Sequence, residues 1–298
     1  MSYQHVYAIV TTYNPRIERF QKVIDAVKGQ VDGIIIVDNG SANLKEIHQA
    51  IIGIKNGEII ENNRNYGIGK ALNIGLEKLI SSSVGVDYVL TLDQDSIVLV
   101  DIESVLTAAK EMYKKSEIGI VSLSTDDIRK SGRLRKDAEK ISNFGCNDFP
   151  IISGSLVYTE VYKRNIRYRE EFFMDQIDFD FDYNVKDAGF RLISTVYKGL
   201  DHELGTRGEG GRAVEPYWRI YLLVRNAFTL LREGKINTAF FLLQFFYLYY
   251  ADIMRKPPAP IYKTFKYCLI FFLGIIDAKR GYFAEPESNM TIRKIESF

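Results

Sequence analysis

Apolar and polar residues alternate along the first half of the chain in blocks that predict strands and helices in turn. Continuous apolar runs predict strands at residues 5–12, 33–37, 58–60, 87–92 and 118–123. Apolar residues at helical spacing predict helices at residues 16–28, 44–52, 69–80 and 102–113. Apolar strands that alternate with helices are typical of a parallel sheet covered on both faces. The pattern therefore predicts an α/β fold.

The pattern becomes purely helical from Pro216 onward. Helices are predicted at residues 216–234, 237–256 and 262–280. The apolar stretch at residues 239–251 is shorter than the roughly 20 residues that cross a bilayer, so it should lie in a membrane surface or pack inside the protein. The predicted domains are a sheet domain at residues 1–215 and a helical region at residues 216–298. Residues 124–150 are polar and aperiodic, which predicts either an active-site flap or a solvated connection.

The composition indicates a globular protein, with 46% hydrophobic and 26% charged residues among 298. The chain has two cysteines, Cys146 and Cys268, far apart in the sequence, so no disulfide framework is expected. The N-terminus lacks the pattern of a signal peptide. We therefore expect a cytoplasmic protein, and no nucleic-acid partner is predicted.

Basic and aromatic residues are concentrated in the C-terminal region. Residues 216–298 carry 12 Lys and Arg against 6 Asp and Glu, whereas residues 1–215 carry 27 against 32. The same last 83 residues hold 19 of the 38 aromatic residues. Such a region is either a membrane-surface element or a helical subdomain with an aromatic core, and it is also the expected contact in a homodimer.

Polar loops follow three predicted strands, where open α/β sheets bind ligands. They begin at Thr12, Asp38 and Asp93. Asp93 and Asp95 are separated by one residue, and hard cations such as Mg²⁺ prefer oxygen ligands of this kind together with substrate phosphates. The alternative for this motif alone is a surface turn that arose by chance.

Glycines open the helix that is predicted at residues 69–80, in the stretch from Asn65 to Gly75. Backbone N–H groups at a glycine-rich helix start can bind a phosphate, and the helix dipole favours the anion. The alternative is a close packing contact. A Walker loop is excluded, because Gly-Lys-Ser/Thr is absent.

A second acidic cluster places four aspartates among phenylalanines at residues 172–182. In a helix Asp175, Asp178 and Asp182 would share one side. A carboxylate among aromatic rings can have its pKa raised and act as a general base; the alternative is an N-capped acidic surface stripe. His202 is one of three histidines in the chain and is a candidate ligand for a metal or a phosphate.

The ordered set of motifs resembles the inverting glycosyltransferases of family 2, which have the GT-A fold, and most closely their bacterial rhamnosyltransferases. The resemblance covers nearly the whole chain. It implies a Rossmann-like, mixed and mainly parallel sheet followed by a helical subdomain. The nucleotide-sugar contacts that it implies are Thr11, Tyr13, Asp38, Asn65, Gly67, Asn73 and Asp93.

The same resemblance implies the chemical roles. Asp95 and His202 would hold Mg²⁺ or Mn²⁺, and Asp178 would be the catalytic base. Asp180 and Arg225 would lie on the acceptor side. The family's usual Trp and Arg after the base motif are replaced by Phe181 and Asn184, so the acceptor is the part that the resemblance specifies least.

The implied activity is transfer of L-rhamnose from dTDP-L-rhamnose to a saccharide acceptor, expected to be lipid-linked, at the inner face of the cell membrane. Two alternatives stay open: another donor, such as UDP-galactofuranose or a UDP-hexose, and a non-catalytic glycan-binding or scaffold protein of the same fold. A nucleotidyltransferase is disfavoured, because no basic, glycine-rich triphosphate signature follows the first strand.

Overall fold

A mixed sheet forms the centre of the first part of the chain in the computed structural model, which describes residues 4–82, 85–126, 144–146, 149–203, 216–249, 261–283 and 285. Its strands are β1 (Val6–Thr12), β2 (Gly33–Asp38), β3 (Gly57–Glu61), β4 (Tyr88–Asp93), β6 (Ile118–Ser124), β7 (Phe144–Cys146), β8 (Ser155–Tyr158) and β9 (Arg191–Lys198). A separate pair is formed by β5 (Ile97–Val98) and β10 (Leu200–Asp201).

Helices follow most of the strands. They are α1 (Ile17–Val27), α2 (Leu44–Ala50), α3 (Ile68–Ser81), α4 (Ile102–Met112), α5 (Thr159–Lys163) and α6 (Ile177–Asp187). The predicted elements of the first half are confirmed to within two residues at each end. The predicted loop at residues 124–150 lies mostly outside the described residues, although β7 is part of it.

The order of strands in the sheet is β3-β2-β1-β4-β8-β6-β9-β7. The four strands β3, β2, β1 and β4 run parallel, whereas β8 is antiparallel to both of its neighbours and β7 is antiparallel to β9. Every residue of β1 and β2 is buried, which agrees with their continuous apolar sequences. The predicted α/β class is confirmed, and the sheet is mixed and mainly parallel.

The C-terminal helices are α7 (Tyr217–Arg232), α8 (Thr238–Tyr249) and α9 (Ile261–Arg280). The predicted helix at residues 237–256 is described as far as Tyr249, and the rest of that prediction lies outside the described residues. Aromatic rings from α8 contact α9, and the closest ring centroids are those of Phe245 and Phe271, 3.9 Å apart. No helix in the described part of the chain combines the length and the apolar character that crossing a membrane requires.

The chain divides into two compact units. The first comprises Met1–Tyr168 and Phe181–Glu203, and the second comprises Arg169–Asp180 and Leu204–Phe298. The predicted boundary between residues 215 and 216 stays a prediction, because residues 204–215 lie outside the described residues. The sequence did not indicate that Arg169–Asp180 belongs with the C-terminal helices.

Candidate functional site

The carboxyl ends of β1, β2 and β4 bring predicted site residues of the first unit together. Parallel register places Thr11 of β1 beside Asp93 of β4, and Thr12 of β1 beside Asp38 of β2. The side chain of Thr11 hydrogen-bonds the Asp93 carboxylate. The sheet extends from β1 toward β2 on one side and β4 on the other, so this edge is the topological switch point at which open α/β sheets bind ligands.

His202 reaches the same edge through the small sheet of β5 and β10. In this antiparallel pair Asp201 is opposite Ile97, so the residue after β10 lies beside the turn that precedes β5. One ligand atom from each of Asp93, Asp95 and His202 lies within 4.8 Å of the others. The structure therefore gathers two acidic residues and a histidine that the sequence predicted separately.

This cluster fits a divalent cation. Oδ1 of Asp95 is buried, has no hydrogen-bond partner among the described residues, and lies 3.3 Å from Nδ1 of His202. A buried carboxylate oxygen without a donor is costly, and a cation would satisfy it. Carboxylate oxygens suit Mg²⁺ and Mn²⁺, and an imidazole suits several transition metals.

Two serines that the sequence analysis missed connect the cluster. The hydroxyl of Ser153 donates to Oγ of Ser96 at 2.7 Å, and Ser96 in turn lies 2.7 Å from Nδ1 of His202. The backbone N–H of Asp93 donates to Oγ of Ser153 at 2.9 Å. Hydrogen bonds of this kind orient a metal-ligating histidine. Ser96 follows Asp95 directly, and that adjacency was the available signal.

Arg19 of α1 braces the turn on which Asp95 lies. Its Nε donates to the carbonyl of Asp95 at 2.8 Å, and its Nη2 donates to the carbonyl of Asp201 at 2.7 Å. Its Nη1 also pairs with the Asp201 carboxylate at 3.0 Å. One guanidinium thereby holds the segments before β5 and at the end of β10, which carry Asp95 and His202. No local sequence pattern marks an arginine for this role.

Two members of the cluster have shifted pKa values. Burial raises the pKa of Asp93 to about 6, and His202 opposes this rise. The pKa of His202 is raised chiefly by its contact with Asp95, against the effect of its burial. Both groups therefore hold protons more readily than exposed residues do, and a metal ion would compete with those protons.

Asp38 organises its own loop. Its buried carboxylate accepts hydrogen bonds from the hydroxyls of Thr12 and Ser41 and from the N–H groups of Gly40 and Ser41, at 2.5–3.0 Å. These four donors match the roughly four lone-pair sites of a carboxylate. The predicted contact between Asp38 and the nucleotide stays a prediction, and the structure adds that this carboxylate shapes the loop.

Tyr13 lies on the neighbouring loop with its side chain exposed. Its backbone N–H donates to Oε1 of Gln94 at 2.7 Å, which ties the loop after β1 to the Asp-x-Asp turn. An exposed ring at the switch point is compatible with the predicted contact to a nucleotide sugar.

The glycine-rich stretch divides into a turn and a packing contact. Oδ1 of Asn65 accepts the N–H of Gly67 at 2.9 Å, and Gly67 adopts φ +84° at the N-cap of α3. A side chain at Gly67 would be strained in this conformation. Gly75 lies against the sheet, where an added Cβ would be 2.8 Å from Cγ2 of Ile9. Both explanations of the stretch are thus represented, the turn at Gly67 and the packing at Gly75.

Asn73 binds backbone. Its Nδ2 donates to the carbonyl of Tyr168 at 2.8 Å, and its Oδ1 accepts the N–H of the same residue at 3.1 Å. The side chain is buried, so a direct contact between Asn73 and a nucleotide sugar does not fit this geometry. Asn73 instead fixes the segment around Tyr168, whose ring stacks on Phe181 with centroids 4.1 Å apart.

In the second unit, a strained turn precedes α6. Phe173 adopts φ +64° and ψ −59°, and the N–H of Met174 donates to the carbonyl of Phe172 at 2.7 Å, which defines a classic γ-turn. Asp175 and Gln176 follow with φ +58° and +64°. Such conformations cost about 1–3 kcal/mol each in residues other than glycine and cluster at functional sites. We call residues 172–176 the strained turn.

The predicted helical alignment of the aspartates is wrong at its first member. Helix α6 begins at Ile177, so Asp175 lies in the strained turn, where it pairs with Arg219. Asp178 is in the first turn of α6, half-buried, and its Oδ1 accepts the N–H of Phe179 at 3.0 Å. Its predicted role as catalytic base stays a prediction.

Asp180 and Arg225 are buried within the second unit. Oδ1 of Asp180 pairs with Arg169 at 3.1 Å and with Lys235 at 2.6 Å. Arg225 is fully buried, and its Nη2 donates to the carbonyls of Glu171 and Phe172. Direct contacts of these two side chains with an acceptor do not fit this burial, because their polar atoms already bind the protein.

The comparisons with known proteins agree with the geometry. Residues 7–175 match the model of the family "Glycosyl transferase family 2". The chain is 25% identical over 254 residues to the dTDP-rhamnosyl transferase RfbF of Shigella flexneri, a match that spans 78% of this chain and 81% of that protein.

Solved structures resemble the fold. The structure of GalNAc-T7 with UDP, GalNAc and Mn²⁺ superposes with a TM-score of 0.56 at 14% identity, over 75% of this chain. The match spans 47% of that chain, about half its length. The Mycobacterium tuberculosis glucosyl-3-phosphoglycerate synthase with Mn²⁺, UDP and glucosyl-3-phosphoglycerate superposes with a TM-score of 0.44, over 79% of this chain and 82% of that one, at 14% identity. The family match covers more than half of the chain, which is therefore a glycosyltransferase that belongs to glycosyl transferase family 2.

Proposed function

We propose that this enzyme transfers L-rhamnose from dTDP-L-rhamnose to a hydroxyl of a growing, lipid-linked bacterial surface polysaccharide, with inversion at the anomeric carbon. The observation that carries the reaction type is the cluster of Asp93, Asp95 and His202 at the switch point. The donor is inferred from the similarity to the dTDP-rhamnosyl transferase of Shigella flexneri.

The roles follow from the chemistry of each group. Asp95 and His202 would hold Mg²⁺ or Mn²⁺, and Asp93 would bind the ribose. When bound, the ion supplies positive charge that stabilises the leaving diphosphate. Asp178 accepts the proton of the acceptor hydroxyl while that oxygen attacks the anomeric carbon and the bond to the diphosphate breaks. The single displacement produces the inversion.

Donor and base are tested separately. Thermal-shift measurements with dTDP, UDP and GDP, each with and without Mn²⁺, should show the largest stabilisation with dTDP and Mn²⁺. A larger shift with UDP would instead support a UDP-sugar donor. Asp178→Asn should abolish transfer from dTDP-L-rhamnose while the affinity for dTDP and Mn²⁺ is retained. Near-normal transfer by this variant would rule out Asp178 as the base.

The location at a membrane is supported by apolar residues on α8 and α9. Most exposed are Leu243, Phe246, Tyr247, Phe265 and Phe272, each at least 59% exposed. On α9 these residues continue as one helical stripe through Leu269 and Ile276. We call these exposed residues of α8 and α9 the apolar face. The aromatic core between the two helices accounts for other rings and leaves this face uncovered.

Charge favours an anionic lipid surface over a second copy of the chain. Helix α9 carries Lys263, Lys266, Lys279 and Arg280, while its carboxylate, Asp277, is buried and accepts the hydroxyl of Tyr221 at 2.7 Å. Two copies would bring like charges together, whereas anionic headgroups attract them. Helices with an apolar face and basic residues bind in the plane of a bilayer.

Vesicle flotation tests this part of the proposal. The protein should float with vesicles that contain phosphatidylglycerol, and Phe265→Ser with Phe272→Ser should weaken flotation strongly. Ile52→Ser is the control, since Ile52 is 79% exposed on the first unit. Absence of flotation, or a dimer in light scattering that the α9 substitutions dissociate, would contradict the membrane location and favour a homodimer contact.

A further inference from the structure

We propose that Arg225 and Asn226 of α7 are positioning residues for Asp178. They hold the strained turn, and the strained turn sets where α6 begins and thereby where the Asp178 carboxylate points. The inference rests on the proposed role of Asp178 as the base. It assigns Arg225 a task that differs from the acceptor contact predicted from the sequence, and it adds Asn226, which had no predicted role.

The contacts between α7 and the turn are made through backbone carbonyls. Nδ2 of Asn226 donates to the carbonyls of Phe172, Met174 and Asp175, at 3.0, 2.8 and 3.0 Å. Nη2 of Arg225 adds bonds of 3.2 Å to the carbonyl of Glu171 and 3.3 Å to that of Phe172. Oδ1 of Asn226 accepts Nε–H of Arg225 at 3.0 Å, so the two side chains support each other.

Burial makes these contacts more than a surface decoration. Both Arg225 and Asn226 are 0% exposed. Their donors are therefore removed from water, and carbonyls that lost them would stay unsatisfied inside the protein. The pair has no described contact with a substrate, and its printed hydrogen bonds go to the backbone or to each other.

The strained backbone explains why a brace is needed. Phe173, Asp175 and Gln176 have positive φ, and residues with side chains leave such conformations unless their surroundings hold them. Asp178 comes two residues after the last of them, in the first turn of α6. A turn that relaxed would shift or unwind this helix start, and an error of about 1 Å in a reacting group costs on the order of 100-fold in rate.

A third contact clamps the turn from the same helix. Arg219 pairs with Asp175, with Nε 3.1 Å from Oδ2 and Nη2 3.1 Å from Oδ1. Arg219 and Asn226 are two helical turns apart and therefore lie on the same side of α7. Arg219 is partly exposed, which makes it the site at which the brace can be weakened without opening the core.

The first test uses Asn226→Ala, with Thr229→Val as control. Thr229 is also buried on α7, but its hydroxyl bonds to the carbonyl of Arg225 in its own helix. We expect faster hydrogen exchange of the N–H groups of Met174 and Asp180 in Asn226→Ala, and kcat lowered about 10- to 100-fold. The KM for the nucleotide sugar should stay within about twofold, and the control should change neither quantity.

Arg219→Gln, with Arg232→Gln as control, keeps the test decisive if Asn226→Ala fails to fold. Arg232 donates to the carbonyl of Ala278 and not to the turn. Arg219→Gln should lower kcat about tenfold with the KM unchanged, and Arg232→Gln should not. Folded variants with normal exchange and normal kcat would overturn the positioning role. Transfer by Asp178→Asn would overturn the base assignment instead, and the exchange measurements remain a separate readout of the turn.

Discussion

The hydroxyl of Ser96 lies 2.7 Å from Nδ1 of His202, and the same hydroxyl accepts a hydrogen bond from Ser153. This places a fixed polar partner beside the histidine of the Asp93, Asp95 and His202 cluster. The ring of His202 is thereby oriented before any ion is bound.

Removal of this hydroxyl should weaken metal binding. Ser96→Ala deletes the partner of His202, and loss of such an outer contact typically lowers metal affinity about 10- to 100-fold. Titration calorimetry with Mn²⁺ in the presence of dTDP measures the change. Ser155→Ala is the control, because its hydroxyl donates to the carbonyl of Ile151 outside the cluster. Equal Mn²⁺ affinity in both variants would contradict the prediction.

Metal affinity should fall as the pH is lowered toward 5. The pKa of Asp93 is raised to about 6 by burial, and that of His202 is raised chiefly by Asp95, so both bind protons as the pH falls through this region. A protonated ligand cannot bind the ion, and binding at low pH must release protons. Calorimetry in buffers of different ionisation enthalpy measures that release. Mn²⁺ affinity that is constant from pH 5 to 7.5 would contradict the shifts.

Asn73→Ala should destabilise the first unit without a matching loss of nucleotide affinity in the folded protein. The substitution leaves the N–H and the carbonyl of Tyr168 without their partner, and an unsatisfied buried group costs about 1–3 kcal/mol. Urea denaturation and dTDP binding distinguish the two roles. Reduced dTDP affinity at unchanged stability would restore the ligand role that the motif predicted.

Gly75→Ala should also be destabilising, through overpacking. The added methyl would lie 2.8 Å from Ile9 and 3.1 Å from Val37, and an extra methyl group in a packed core costs about 1–3 kcal/mol. Gly29→Ala is the control, because an added Cβ there meets nothing within 4 Å. The free energy of unfolding in urea checks both, and equal values would show that α3 can shift away from the sheet.

The order of elements in the first half could be predicted from the sequence because periodicity is a local property of the chain. Apolar runs such as β1 and β2 identify strands wherever they pair. The Asp-x-Asp turn could be predicted for the same reason, since it directly follows a strand and parallel strands end at one edge. The pairing of β8 between β4 and β6 depends on partners far along the chain, and no local pattern specified it.

The tertiary structure decided which polar residues face a site and which bind the protein itself. A motif match identifies Asn73, Asp180 and Arg225 by spacing, but burial shows that their polar groups bind backbone or buried ions. The same applies to His202, which spacing left as a lone histidine until β10 paired with β5 and brought it to Asp95. Spacing along the chain reports neighbours in sequence, whereas hydrogen-bond partners and metal ligands are chosen by proximity in the folded chain.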